Sequence, residues 1–329
     1  MMRICKLLSI SICASGLLVA QDKPVKPKPF GSVTLPGTDA LYQQLLSSNI
    51  EGIGKFYMGR QISHVMGHAG ATWLERPERE REENTSKMIE SLNLRPGNKV
   101  ADIGVGTGYI AQRMAKAIGP QGVGVGVDIE QKMLDDLGNN MKEAAITNVK
   151  GHLGTIRDPK LDANSTDFII MVDVYHEFSH PYEMMRGIVN ALKPVTIHIV
   201  KEGDTLETIG KDYNKLYRRI QMLNDHIKPE QWGEPNKPKE WKALKPGTKI
   251  LIPGGRVAFV EYNGADPKVP IKRLHKMTEE QVLKEASLFP LKHVETYGPP
   301  TEGLHDSHGK RMLPWQNVIF FEKTEVKKE

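Results

Sequence analysis

The fold of this chain is decided by the stretch VADIGVGTG, residues 100–108. Apolar residues and one acid lead into glycines at every second position. Glycines directly after a strand let the backbone turn sharply and approach a ligand closely. The residues that follow, 109–118, are typical of a helix. The stretch therefore predicts a strand, a ligand-binding turn and a helix at the start of a βαβ unit.

Strands and helices alternate on the carboxyl side of this turn. The sequence predicts strands at 99–103, 122–127, 148–153 and 167–174, and helices at 109–118, 130–145 and 181–192. The run FIIMV, residues 168–172, has no polar residue, as expected for a strand covered on both faces. On the amino side, helical patterns at 38–48, 55–66 and 77–94 predict a helical lid. The whole pattern indicates an α/β fold with a doubly wound, Rossmann-like sheet.

The alternation stops after Pro194. The glycine-led strand expected next, GGRVAFVEY, begins only at Gly254. Residues 195–253 are therefore predicted to be an inserted module. A strand at each end of it, 195–200 and 248–252, lets the two ends pair, and two helices lie between them. A strand at 256–261, a helix at 278–287 and strands at 292–297 and 316–322 then complete the main fold.

The N-terminus has the pattern of a secretory signal. Arg3 and Lys6 precede an apolar run from Leu7 to Val19, with a cleavage point expected after Ala20. The run is too short to span a bilayer comfortably, and no other transmembrane span is expected. This pattern predicts an exported protein, in the periplasm or at the cell wall. An uncleaved anchor is one alternative, and a cytoplasmic location applies if the segment is not a signal.

Composition excludes several chemistries. Cys5 and Cys13 are the only cysteines, and both lie in the predicted signal, so the mature chain has no disulfide, thiolate zinc site or cysteine nucleophile. The formal net charge is +5, and acidic and basic residues are interspersed. A nucleic-acid partner is not expected, because such proteins usually cluster their basic residues on one face.

Asp102 and Asp128 bracket the glycine turn in a pattern with a chemical meaning. Asp128 ends the second strand, 20 residues after Gly108, where an acid can accept hydrogen bonds from both hydroxyls of a ribose. Together with the glycines, these acids resemble the signature of class I S-adenosylmethionine-dependent methyltransferases, over residues 85–194 and 254–322. The resemblance implies S-adenosyl-L-methionine as the cofactor and methyl transfer as the reaction.

The same resemblance implies roles for individual residues. The methionine portion is expected at Asp102, Gly104, Gly106 and Gly108, the ribose at Asp128, the adenine beside Ile129, and the pocket wall at Asp173. The sequence departs from the family at Thr155, where an Asp often meets the adenine amino group. A dinucleotide fingerprint, Gly106-x-Gly108-x-x-Ala111, leaves a dehydrogenase as an alternative, although a carboxylate at Asp102 would repel a pyrophosphate. A fold that has lost its cofactor is a second alternative.

The segment HEFSH, residues 176–180, matches the zinc-peptidase pattern H-E-x-x-H. That chemistry needs both histidines on one face of a helix, and Pro181 disfavours helix at His180. No metal site is therefore expected, and a zinc peptidoglycan hydrolase stays a minor hypothesis. Because ligands bind at the carboxyl ends of parallel strands, Tyr175, His176 and Glu177 are predicted to line the acceptor site. His176 or Glu177 would remove the acceptor proton, unless these residues simply pack or cap the loop.

The inserted segment resembles a LysM domain in its opening VKEGDTL, residues 200–206, and its closing LKPGTKILIP, residues 244–253. The resemblance implies a βααβ module that binds N-acetylglucosamine-containing glycans such as peptidoglycan. Its sugar contacts would lie at Gly203, Asp204, Thr205 and Leu206. The loop before the last strand carries Trp232 and Trp241, whose rings could stack on a sugar or cover the small core. A purely structural role for the insert is the alternative.

These observations predict a methyltransferase whose acceptor is a small molecule or a glycan. The expected organisation is a signal peptide at 1–20, a Pro/Lys-rich linker at 21–37, the catalytic fold at 38–194 and 254–329, and the insertion at 195–253. The alternative function is an exported glycan-binding protein with an inactive methyltransferase-like core.

Overall fold

A computed structural model describes residues 38–45, 49–227, 241–298 and 313–326. The predicted signal peptide, the linker and Trp232 lie outside these ranges. Within them, no helix is long and apolar enough to cross a membrane.

The described residues form twelve strands and nine α-helices. The strands are β1 Tyr42–Gln44, β2 Gly52–Tyr57, β3 Arg60–Ser63, β4 Lys99–Ile103, β5 Val123–Asp128, β6 Val149–Leu153, β7 Phe168–Val172, β8 Thr196–Ile199, β9 Lys249–Ile252, β10 Arg256–Tyr262, β11 Leu291–Tyr297 and β12 Gln316–Lys323. The helices are α1 Ala71–Leu74, α2 Arg79–Glu83, α3 Thr85–Ser91, α4 Tyr109–Ile118, α5 Gln131–Glu143, α6 Pro181–Ala191, α7 Leu206–Asp212, α8 Tyr217–Leu223 and α9 Glu279–Ala286.

The main sheet has seven strands in the order β11-β12-β10-β7-β4-β5-β6. The five strands from β10 to β6 are parallel, and β12 runs antiparallel to both of its neighbours. The chain moves outward from β4 to β5 and β6, then returns to place β7 on the other side of β4. Such a reversal opens a crevice at the carboxyl ends of the central strands, where α/β proteins bind ligands. The predicted Rossmann-like fold is confirmed.

Helices cover this sheet on both faces, which explains its apolar strands. Alternate residues of β7 enter two different cores: Ile169 and Met171 pack in one cluster, Phe168 and Ile170 in another. Side chains alternate between the faces of a strand, so β7 needs apolar residues throughout. Helix α6 packs in the first cluster and α4 in the second. The predicted strand 99–103 and helix 109–118 are confirmed to the residue.

The N-terminal segment differs from its prediction. The helices predicted at 38–48 and 55–66 are wrong, because β1, β2 and β3 form an antiparallel sheet there. Met58 and Gly59 both have positive φ, the backbone of a tight hairpin turn, and they connect β2 to β3. The helix predicted at 77–94 is interrupted at Asn84, whose left-handed φ of 50° separates α2 from α3.

Within residues 196–227 and 241–252, the parts of the insertion that the structure describes, the order is strand, helix, helix and strand. β8 pairs antiparallel with β9, as predicted for the two ends of the insertion. A small apolar core of their own holds the elements together, formed by Val200, Leu206, Ile209, Ile220, Ile227, Leu244, Ile250 and Ile252. Thr205 caps α7 by accepting a hydrogen bond from the backbone N–H of Thr208.

This βααβ segment contacts the main sheet at the end opposite the glycine turn. Arg95 Nε donates to Asn214 Oδ1 at 2.9 Å, just before β4. Lys215 Nζ lies 3.6 Å from Asp167 Oδ1, just before β7. Arg219 forms an ion pair with Glu322 at 2.5 Å. The amino ends of the parallel strands therefore carry the inserted segment, and their carboxyl ends stay free for a ligand.

Candidate active site

A cavity of about 450 Å³ lies over the carboxyl ends of β4, β5, β7 and β10. The glycine turn contributes Gly104 and Gly106 to its wall, and β5 contributes Val127 to Glu130. Much of the rest of the wall comes from residues 172–174 and 176–179, after β7, and from two segments above it. These contribute Val65, Met66, Trp73 and Leu74, and residues 270–272 with His275. Most of its surface is apolar, with a few polar groups that converge, as in sites for small molecules.

The glycine turn fits closely against its neighbours. Gly104 has a φ of +72°, and a Cβ there would lie 2.4 Å from Val174 Cγ2. Gly106 has a φ of +53°, and a Cβ there would lie 2.6 Å from Leu74 Cδ1. A side chain at either position would therefore be strained and would displace the wall. The turn leaves its backbone bare toward the cavity, as a close approach to a ligand requires.

Asp128 is fixed by the turn that it faces. Its Oδ2 accepts a hydrogen bond from Gly106 N and its Oδ1 accepts one from Glu130 N, each at 3.0 Å. Burial raises the pKa of this carboxyl, and the backbone donors oppose that shift. The side chain is thus held at the end of β5 with its free lone pairs available to a ribose.

Not every residue expected around the cofactor reaches the cavity. Its wall includes Gly104, Gly106, Asp128, Ile129, Thr155 and Asp173. Asp102 and Gly108 are not part of the wall. Burial raises the pKa of Asp102 to about 7, with Asp128 adding to the shift and Arg79 opposing it. Gly108 caps the start of α4.

Thr155 lines the cavity with its hydroxyl already engaged. Oγ1 accepts from Arg157 N at 3.3 Å and from Asp158 N at 3.0 Å, within its own turn. The hydroxyl also donates to Asp158 O at 3.2 Å. The missing family aspartate is therefore replaced by a group that serves the local backbone.

Asp173 has a free carboxylate oxygen in the cavity wall. It follows β7 in a left-handed conformation, with a φ of +51°. Gln316 Nε2 donates to its Oδ2 at 2.6 Å, while its buried Oδ1 has no hydrogen-bond partner among the described residues. Burial and the nearby acids Glu83 and Glu261 raise the pKa of Asp173 well above its usual range.

His176 and Glu177 meet a third group that the sequence did not suggest, His275. His176 Nδ1 lies 2.6 Å from Glu261 Oε2, and His176 Nε2 lies 3.2 Å from His275 Nδ1. Glu177 Oε1 lies 3.9 Å from His176 Nε2 and 3.6 Å from His275 Nδ1. One ligand atom from each of His176, Glu177 and His275 falls within 4.8 Å of the others.

Burial shifts the pKa values of two members of this cluster, Glu177 and His275, in opposite directions. It raises the pKa of Glu177 to about 7, although His176 opposes this shift. It lowers the pKa of His275 to about 4, and His176 and Lys272 lower it further. Glu177 Oε1 also accepts a hydrogen bond from Met66 N at 3.1 Å, which ties the cluster to the segment above the cavity.

The two histidines of the H-E-x-x-H segment have different surroundings. His180 Nδ1 lies 3.0 Å from Ser179 Oγ, and its ring centroid lies 6.4 Å from that of Tyr42. It is not part of the cavity wall, and α6 begins directly after it at Pro181. The peptidase arrangement is therefore not formed by this pair.

Tyr175 is a core residue and does not line the cavity. Its side chain is fully buried, with its ring edge-on to Phe259 at 4.8 Å and to Phe178 at 5.4 Å. The guanidinium of Arg60 lies 5.2 Å from the ring centroid. The expectation that Tyr175 lines the acceptor site is corrected by this placement, since β7 ends at Val172 and Tyr175 begins a short 3-10 helix with its side chain in the core.

Sequence reasoning missed Glu261, His275 and the groups around Asp173. Glu261 had a usable signal, because it is a lone acid inside the apolar strand VAFVEY and is fully buried. His275 had none, since it lies in a connection whose position depends on the whole fold. The segment above the cavity is held by His68, whose backbone N–H donates to Glu130 Oε2 at 3.1 Å.

The residues expected to contact sugars lie at the start of α7. Gly203 is exposed, with a φ of +84°. Asp204 Oδ2 accepts from Lys201 N at 2.7 Å and lies 2.8 Å from His198 Nε2. Thr205 caps the helix, and Leu206 is fully buried in the small core. Trp241 packs against the same core, with its ring 4.9 Å from that of Tyr217.

Part of this chain is similar to known methyltransferases. Residues 94–246 match a family model described as a methyltransferase domain. A ubiquinone/menaquinone biosynthesis C-methyltransferase of Ectopseudomonas mendocina is 29% identical over 129 residues, covering 36% of this chain and 48% of that protein. A tRNA (adenine(58)-N(1))-methyltransferase of Thermus thermophilus is 22% identical over 165 residues, covering 46% of this chain and 60% of that protein.

The fold also matches a solved structure. A SAM-dependent methyltransferase from Aquifex aeolicus superposes with a TM-score of 0.54 at 14% identity, covering 78% of this chain and 99% of that one. The chain spans 37% to 60% of the length of the three curated relatives that head the comparison.

Proposed function

We propose that this chain, which carries a class I methyltransferase domain with S-adenosylmethionine as its cofactor, methylates an acceptor bound in the cavity described above. The observation that carries the proposal is the contact between the glycine turn and Asp128 in the wall of a cavity of about 450 Å³. The wall combines a bare backbone for close approach with an acid placed for a ribose. A small molecule, or one sugar unit of a glycan, suits a site of this size.

The residues present fit this cofactor. Gly104 and Gly106 bring bare backbone into the cavity wall, where Val174 and Leu74 already occupy the space that a Cβ would need, and Asp128 and Asp173 line the same wall. We assign the methionine ammonium to Asp173, the ribose to Asp128 and the adenine to the side of Ile129. When bound, the cofactor supplies a methyl group on a positively charged sulfur. Acidic groups in the wall favour such a cation over a pyrophosphate, which argues against the dehydrogenase alternative.

The acceptor is assigned to the end of the cavity formed by His176, Glu177 and His275. Their polar atoms converge in a wall that is otherwise apolar, so they are the groups that can orient a nucleophile. Catalysis by this chain would come mostly from holding the nucleophile in line with the methyl group. Removal of the acceptor proton is assigned to this cluster, not to Tyr175.

Calorimetric titration of the full chain with S-adenosylhomocysteine tests the proposal. We expect saturable binding of one molecule, lost in Asp128→Ala. The matched control is Asp135→Ala, which removes an acid exposed on α5 and outside the cavity wall. Unchanged affinity in Asp128→Ala, or no binding to the parent chain, would refute the assignment. The latter result, with retention on peptidoglycan, would favour the glycan-binding protein with an inactive core.

We also propose that residues 195–253 form a LysM-like module that binds glycans containing N-acetylglucosamine. Its support is the antiparallel β8–β9 pair, the capped helix α7 and the exposed turn at Gly203. Sedimentation of the full chain with insoluble peptidoglycan, competed by soluble N-acetylglucosamine oligomers, tests this proposal. Failure to sediment would contradict glycan binding and favour a structural role for the insert. This result would not affect the cofactor assignment, which the calorimetric titration tests.

Export remains our proposal for the localisation of the protein. Its support is the pattern of residues 1–20, a charged start followed by an apolar run and Ala20. Fractionation of expressing cells, with N-terminal sequencing of the recovered chain, should find Gln21 as the first residue outside the cytoplasm. Recovery of an intact Met1 in the cytoplasm would contradict export.

A further inference from the structure

We infer that His176, Glu177 and His275 form a binding site for one divalent transition-metal ion, and that their spacing suits zinc. All three residues line the cavity at its acceptor end. Two imidazoles and one carboxylate are a ligand set used by catalytic zinc sites. Binding of the ion stands on the geometry alone, whereas its role in methyl transfer rests on the proposed function.

The distances between the ligand atoms match a single ion. They are 3.2 Å from His176 Nε2 to His275 Nδ1, 3.9 Å from His176 Nε2 to Glu177 Oε1 and 3.6 Å from His275 Nδ1 to Glu177 Oε1. A triangle with these sides has its centre about 2.1 Å from each corner, which is the length of a zinc–nitrogen or zinc–oxygen bond. An ion about 0.7 Å outside the plane of the three donors would lie about 2.2 Å from each of them, close to zinc bond lengths, and would have room for a fourth, tetrahedral ligand.

Glu261 orients the first of these ligands. Its carboxylate receives the Nδ1–H of His176 at 2.6 Å and the backbone N–H of His176 at 3.3 Å. A carboxylate only accepts, so Nδ1 carries the hydrogen and Nε2 presents a lone pair. Metal-bound histidines are typically held in this way by a second carboxylate. This contact explains why the apolar strand β10 contains a fully buried acid, Glu261.

Three protein ligands leave a fourth position that faces the cavity. When the ion is bound, the cluster would promote removal of the acceptor proton through the ion and not as a base. An acceptor hydroxyl at the fourth position would lose its proton to water, because a bound cation stabilises the resulting oxygen anion. That oxygen then forms the bond to the methyl carbon, while the bond from carbon to sulfur breaks and its electron pair stays on sulfur. The ion would therefore favour acceptors whose nucleophile is an acidic hydroxyl or thiol, since zinc binds both oxygen and sulfur.

Metal titration of the full chain tests this inference. After removal of metal with a chelator, we add Zn²⁺ in a calorimeter and Co²⁺ in an absorption spectrometer. We expect one ion per chain, with the intense visible bands of tetrahedral Co²⁺. His275→Ala should weaken Co²⁺ binding by about 100-fold or more, and Glu261→Gln by about 10- to 100-fold.

His180→Ala is the matched control, because it removes the other histidine of the H-E-x-x-H segment. Our site predicts unchanged Co²⁺ affinity in this variant, and a peptidase-type site predicts its loss. Thermal unfolding of each variant shows whether the fold is kept. No stoichiometric binding to the parent chain, wild-type affinity in a folded His275→Ala, or loss of binding in a folded His180→Ala would each overturn the inference.

Titration of the same samples with S-adenosylhomocysteine separates this inference from the proposed function. If the chain binds metal but not S-adenosylhomocysteine, the cofactor assignment is wrong and the metal site stands. If it binds S-adenosylhomocysteine but not metal, the metal site is wrong and the cofactor assignment stands.

Discussion

The backbone N–H of Gly106 donates a hydrogen bond to the carboxylate of Asp128 at 3.0 Å. This contact joins the turn after β4 to the last residue of β5, so two elements that hold different parts of a ligand are fixed relative to each other. The position of the acid is set by the turn as well as by its own strand. Changes at the turn should therefore alter the affinity for any ligand group bound at Asp128.

Gly106→Ala should weaken S-adenosylhomocysteine binding by about 10-fold or more, because a non-glycine residue with positive φ costs about 1–2 kcal/mol. The added Cβ would also lie 2.6 Å from Leu74 Cδ1. Leu74→Ala in the same chain removes that clash but not the backbone strain. Calorimetry should show that the double variant regains part of the lost affinity. An affinity no higher than that of Gly106→Ala would show that the clash with Leu74 does not contribute to the loss.

Asp102→Asn should change how stability depends on pH. Burial raises the folded-state pKa of Asp102 to about 7 from an ordinary value of 3.8, so the folded chain keeps a proton that the unfolded chain releases. The bound proton makes its full contribution to the free energy of unfolding below about pH 4, and this contribution is lost as pH rises through about 7. The variant avoids this loss and should gain about 2–4 kcal/mol on the parent chain between pH 4 and pH 8.

Denaturant unfolding at several pH values measures this difference. Asp135→Asn serves as the control, because that residue is exposed on α5. Parallel stability curves for Asp102→Asn and the parent chain would contradict a raised pKa at Asp102.

The ion pair of Arg219 with Glu322 should contribute to stability without affecting the cavity. Both side chains are mostly buried where the inserted segment meets the sheet, and their charged atoms lie 2.5 Å apart. A double-mutant cycle to Ala should give a coupling of about 1–2 kcal/mol in the free energy of unfolding. Affinity for S-adenosylhomocysteine should stay within error of the parent value. A loss of affinity would mean that the two ends of the sheet are coupled.

Gln316→Leu should destabilise the chain by about 1–3 kcal/mol, because it leaves a buried carboxyl oxygen of Asp173 without its donor. The bond that is removed is 2.6 Å long, and Gln316 is almost fully buried. Adding Asp173→Asn should reduce the penalty, since a neutral amide costs less to bury. Equal unfolding free energies for Gln316→Leu and the parent chain would show that this hydrogen bond contributes nothing.

Local signals predicted the centre of the fold well. The strand 99–103 and the helix 109–118 are bounded by glycines and have apolar patterns that only one structure satisfies. The N-terminal sheet was missed because its hairpin turns at Met58-Gly59, and methionine is not a residue that signals a turn. A short apolar spacing at 55–66 then resembled a helix more than two paired strands.

The site was predictable only where one segment determines it. Asp128 could be found because its distance from the glycine turn is set by one helix and one strand. His275 could not, because it follows β10 by a long connection and reaches His176 only after the sheet has formed. The sequence predicted no metal site because His180 was the only second histidine that the motif suggested. His275, 99 positions after His176, could not be identified from a local pattern.

Lys193 and Gly255 already touch, with the N–H of Gly255 donating to the carbonyl oxygen of Lys193 at 2.7 Å. The two points where the inserted segment leaves and rejoins the main chain are therefore neighbours. A gene that joined codon 194 directly to codon 254 should encode a self-sufficient catalytic body, with no strand out of register. The same junction would accept a different domain in exchange, so the catalytic fold and the inserted segment can evolve separately.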